Sequence, residues 1–125
     1  MNLDSMLLSL ADLDPAPLVL CDLDHKIVYM NIAAINSYKK YGGEALLGEC
    51  VLNCHSAESK RRIVQILEWF QADPVHNRVH TCYSAEENKD VYMVALRDES
   101  RKLIGYYEKH EYRGKDLAPF YEING

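Results

Sequence analysis

The chain has 125 residues, 48% hydrophobic and 26% charged, with a net charge of −5. That length suits one domain burying roughly two-thirds of its unfolded surface, and the acidic balance argues against a non-specific nucleic-acid surface. Acids in the opening MNLDSMLLSLADLD argue against a secretory signal, and no stretch approaches the ~20 apolar residues of a membrane span, so a soluble, cytoplasmic protein is expected.

Leu3, Met6, Leu7, Leu10 and Ala11 recur at helical spacing and predict a short amphipathic N-terminal helix, which DPAP at 14–17 ends. LVLCD (18–22) and IVYMN (27–31) read as a hairpin around the turn LDHK. Asn31 is placed to cap a helix over IAAINSYKKY, and Gly42-Gly43 breaks it before one more short turn, EALLGE.

The clearest helix is SAESKRRIVQILEWFQADP (56–74), with Ser56 as N-cap, Glu58 in the first turn and Asp73-Pro74 as the stop. Ile63, Ile66, Leu67 and Phe70 form its apolar stripe, and Lys60-Arg61-Arg62 reads as a solvated face. The period then changes to two, predicting strands at about 75–84, 89–97 and 102–112. Two strands, then helices, then a three-strand meander predict an α+β domain with one five-stranded antiparallel sheet and helices packed on one face.

Three stretches carry a family resemblance. CDLDHKIVYMN resembles the PAS sensor-domain hairpin D-x-D-G-x-I-x-x-x-N, with His25 in place of the turn glycine; GGEALLGECV is similar to its short-helix segment. LRDESRKLIGYYE resembles its final hairpin R-D-x-x-G-x-x-x-G, with Gly105 matching and Arg101 where glycine is usual. The portions NCHSAES and RDESRKLIGYYE also resemble, more loosely, PAS modules of bacterial hemerythrin-linked proteins. The resemblance covers residues 14–112 and implies a PAS domain at 14–113, with an N-terminal helical extension at 1–13 and a C-terminal tail at 114–125. It further implies a sheet cupped against helices around a small cavity, and sensing or docking in place of catalysis. The signal would pass in trans, through a homodimer or a separate signalling protein.

On matched positions the ligand-binding candidates are Leu20, Met30, Ile35, Leu52, Cys54, His55, Ile63, Leu67, Val94 and Tyr106. Asn53-Cys54-His55 invites comparison with flavin photosensors of the family, but the glycine spacing and the Arg-Phe-Leu-Gln continuation are absent. Haem would need one neutral imidazole facing an apolar pocket, with His55 favoured over His76 and His80. His76, His80 and Cys82 share strand parity, yet His76 and His80 would lie about 13 Å apart, too far to share one zinc ion. Surface imidazoles and free thiols at Cys21, Cys50, Cys54 and Cys82 are the simpler reading. The alternative from another class is a thiol or redox enzyme using Cys54 with His55. Nucleophile-elbow, P-loop and zinc-protease motifs do not occur, so an enzyme is not expected and the cofactor stays open.

Overall fold

The computed structural model describes residues 1–121 and Ile123, with the side chain of Cys54 outside the described set. Helix α1 (Leu3–Asp12) begins where Asn2 accepts a hydrogen bond from the Ser5 amide. It stops before Pro15, whose ring fixes its own backbone and disfavours a helical residue ahead of it.

Strands β1 (Val19–Cys21) and β2 (Ile27–Met30) form the first hairpin. Asp22 holds its turn: one carboxylate oxygen accepts the amides of Asp24 and Lys26, and His25 takes a left-handed φ of 66°. The turn between the last two strands repeats this construction. Asp98 accepts the amides of Ser100 and Lys102, and Arg101 sits at φ 67°. Both positions where the resemblance expected glycine are therefore left-handed positions occupied by larger side chains.

Asn31 caps α2 (Ile32–Ser37) by accepting from the Ala34 amide at 2.8 Å. The predicted continuation through Tyr41 is a separate 3₁₀ turn, and a left-handed Gly42 at φ 118° redirects the chain. Further 3₁₀ turns at Gly43–Leu46 and Val51–Cys54 lead to α3 (Ala57–Ala72), capped by Ser56 as expected. Arg97 closes its far end, donating to the carbonyls of Phe70 at 2.6 Å and the C-cap Asp73 at 3.3 Å, groups a helix terminus leaves unpaired, and to the His76 carbonyl of the following loop at 3.0 Å.

Strand β3 (Arg78–Ser84) starts later than the sequence suggested, because Asp73 accepts the Val75 amide and bends the chain first. With β4 (Lys89–Arg97) and β5 (Leu103–Tyr112) it completes an antiparallel sheet of order β2-β1-β5-β4-β3. The two ends of the chain meet at β1 and β5, where Cys21 faces Tyr106 and Leu20 faces Tyr107. Gly105 permits this approach, since a Cβ there would lie 2.5 Å from the Cys21 carbonyl oxygen. Phe70 and Leu67, from the second half of α3, pack over the sheet with Cys21, Met93, Leu103 and Tyr106.

Asn31 itself is fully buried. Beyond its cap, it accepts the Leu18 amide at 2.9 Å and donates to the carbonyls of Ala11 and Ala16 at 3.0 and 2.9 Å. Beside it, the Tyr29 hydroxyl donates to Asp12, so α1 is tied to β2 on both sides of Met30. Asn31→Asp keeps both acceptor bonds but turns an oxygen toward carbonyl oxygens; a loss of about 3 kcal/mol in urea unfolding is expected. Burial, reinforced by Asp12, pushes the Tyr29 phenol from 10 up to about 12. A raised phenol pKa contributes stability that is whole below pH 10 and lost as pH rises through 12. The stability advantage of the wild type over Tyr29→Phe should therefore hold steady up to pH 10 and shrink toward pH 12.

Candidate ligand cavity

The first half of α3 stands off the sheet and leaves a cavity of about 570 Å3. Its floor is the inner face of the sheet: Val19 and Cys21 on β1, Ile27 and Met30 on β2, Met93 on β4, and Tyr106, Glu108 and His110 on β5. Ser59, Arg62, Ile63 and Ile66 of α3 form the opposite wall, and Tyr38, Leu46, Cys50, Val51 and His55 close the side. A smaller cleft of about 310 Å3 beside the β4–β5 turn includes Arg97, whose guanidinium is already committed to main-chain carbonyls.

The cavity is divided in character. Around Cys21, Ile27, Met30, Met93, Ile63 and Ile66 it is apolar, a lining typical of small-molecule sites. Further along β5, Glu108 and His110 supply a polar end, with the Glu108 carboxylate 3.2 Å from His110 Nε2. Tyr106 spans the boundary, its hydroxyl bonded to His25 Nδ1 at 2.8 Å, so the left-handed His25 also orients a cavity wall. Arg62, the lining arginine, is paired with Glu58 at 2.9 Å. Two wall nitrogens, Nδ1 of His55 and Nδ1 of His110, are buried without a hydrogen-bond partner.

Burial pushes the Cys21 thiol up to about 11; a hydrogen bond from Tyr106 opposes the shift, while Asp22 and Glu108 add to it. Burial likewise raises Tyr38 to about 12, with Glu108 the next contributor. Tyr106 is raised by the same desolvation, followed by Cys21. The protonated, uncharged forms of all three groups are thus favoured.

Of the ten candidates from the sequence, Met30, His55, Ile63 and Tyr106 line this cavity. Leu20 and Val94 do not: both pair with Tyr107, in the row next to the inner row of Cys21, Tyr106 and Ala95, and alternation turns them to the outer face. Leu67 belongs to the packed core beyond the cavity, and Ile35 packs against that core from α2. Leu52, half-buried in the 3₁₀ turn, is not part of the wall, and Cys54 lies outside the described side chains. The residues missed are chiefly Cys21, Met93, Glu108 and His110; for the last two, the period-two run from the candidate Tyr106 through Glu108 to His110 was the available signal.

The shared face expected of His76, His80 and Cys82 is broken by a bulge between His80 and Cys82. His80 opposes Tyr92, stacks on it and contacts Asp90 at 3.0 Å, whereas Cys82 opposes Val91 and lines the cavity. His76 precedes the strand, stacked on Trp69. Among the described residues no three of His, Cys, Asp and Glu are grouped to hold a metal ion. Iodoacetamide at pH 8 should label the exposed Cys82 in the folded protein and leave the buried Cys21 unlabelled until urea is added, as peptide mass spectrometry would show.

No family model matches the sequence, and no curated protein matches it. Solved structures do. The PAS domain of a protein from Colwellia psychrerythraea superposes with a TM-score of 0.64 at 14% identity, covering 89% of this chain and 97% of that one. A sensory box sensor histidine kinase from Vibrio cholerae gives 0.55 at 16% identity, covering 87% and 90%. The Aer2 receptor from Vibrio cholerae, a dual PAS-haem oxygen sensor, gives 0.54 at 15%, covering 75% and 90%. The chain has the PAS fold.

Proposed function

We propose that this protein is a PAS-type sensory module that takes a small ligand between α3 and the sheet and passes the signal on in trans. The observation that carries this reading is the cavity of about 570 Å3, within the range of drug-sized ligand sites. Two of the similar structures are described as sensors, in line with it. Ligand contacts that differ between two packings of α3 on the sheet shift their populations. Met30 on the cavity wall lies between Tyr29 and Asn31, the residues holding α1, and so joins ligand occupancy to the N-terminal helix.

In this reading residues 1–13 are an extension, 14–113 the sensing domain and 114–125 a tail. Helix α1 leaves Leu3, Met6, Leu7, Leu8, Leu10 and Leu13 each more than half exposed, an apolar surface suited to a homodimer or a separate signalling partner. No helix among the described residues is long and apolar enough to cross a membrane, and a cytoplasmic setting agrees with the free thiols. Haem is the second reading, supported by His55 on the cavity wall with its Nδ1 buried and unpartnered. A Soret band on adding haemin that His55→Ala abolishes would establish it; no band would dismiss it.

Four methionines make the main reading testable: Met30 and Met93 line the cavity, whereas Met1 and Met6 lie at α1. With methyl-labelled methionine, NMR titration by ethylnaphthalene should move the Met30 and Met93 signals saturably, and any shift of Met6 on α1 should follow the same binding curve. Movement confined to Met1 and Met6, or none at all, would overturn the cavity reading.

A further inference from the structure

The charged groups at the polar end of the cavity are chiefly carboxylates. Glu108 and Glu49 are carboxylates on its wall, and Glu108 keeps lone pairs free beyond its single contact with His110. His110 Nε2 faces that carboxylate, and its Nδ1 is buried and without a partner. His110 is only 6% exposed, so this unmet group belongs to the interior. Among the described residues Arg62 is the one arginine or lysine on the wall and is paired with Glu58, Thr81 donates to the Val91 carbonyl, and the neutral hydroxyls of Tyr38, Tyr41 and Ser59 complete the polar lining.

An anionic ligand would meet the Glu108 and Glu49 carboxylates against the single wall guanidinium of Arg62, itself paired with Glu58, and a wholly apolar one would leave the polar end unsatisfied. Resting on the cavity reading above, we propose that the ligand is a small amine on an apolar body, its ammonium seated against Glu108 and its body among Met30, Met93 and Ile63. Glu108 and His110 become the specificity-determining pair, with Glu108 supplying the charge. The apolar end supplies affinity that does not depend on charge.

The test compares four probes of one shape: naphthylethylamine, naphthylethanol, naphthylacetate and ethylnaphthalene. Calorimetry gives affinity and the methionine methyl signals give location. Naphthylethylamine is expected to bind at least about tenfold tighter than ethylnaphthalene or naphthylacetate, with naphthylethanol between. Glu108→Gln preserves shape and removes the charge; it should weaken the amine about tenfold and leave ethylnaphthalene unchanged. Should ethylnaphthalene bind while naphthylacetate equals the amine, or while Glu108→Gln leaves the amine unaffected, the amine assignment fails and the cavity reading stands. Should none of the four move Met30 or Met93, both fail.

Discussion

A single buried amide, Asn31, organises the meeting point of the structure. It accepts from two backbone amides and donates to carbonyls of the incoming segment, joining the end of α1, the proline loop, the start of β1 and the start of α2. An amide can do this because it carries both acceptors and donors in one plane; no other uncharged side chain of that size does. A fully buried polar group is tolerated only when its hydrogen bonds are met, and here they are. The residue before it faces the cavity, and the residue before that reaches Asp12. One short strand therefore touches the cavity wall and the N-terminal helix together.

The helix α3 is held unevenly, and that unevenness produces the site. Its C-terminal half is fastened by Phe70 and Leu67 in the core and by the Arg97 guanidinium on its terminal carbonyls. Its N-terminal half carries Ser59, Arg62, Ile63 and Ile66 across the cavity from the sheet. A helix anchored at one end over an incompletely filled interior can settle in more than one packing, which a two-state sensor requires. The closeness of β1 and β5 at Gly105 keeps the opposite wall continuous.

Much of the architecture was legible because its signals are local. Asn31 and Ser56 sit at the two cap positions expected of them, Asp22 holds its turn, and Pro15 and Pro74 stop the chain where backbone chemistry says they must. The strand pattern and the antiparallel sheet followed from the change of period. What the sequence hid was parity. Leu20 and Val94 look like cavity residues until pairing with Tyr107 places them on the outer face. A one-residue bulge, which leaves no mark in the composition, separated His80 from Cys82. Glu108 and His110 share the parity of Tyr106, but charged and titratable residues on a strand are ordinarily read as solvent-facing, and the fold sets them on the inner face.

The central claim is that open, largely apolar space lies between the first half of α3 and the sheet, beside the core packed by Leu67 and Phe70. Apolar cavities of this kind take up xenon. Crystals pressurised with the gas should show it bound between Met30, Met93 and Ile63. Side chains closed over that space, with xenon absent there, would contradict the account.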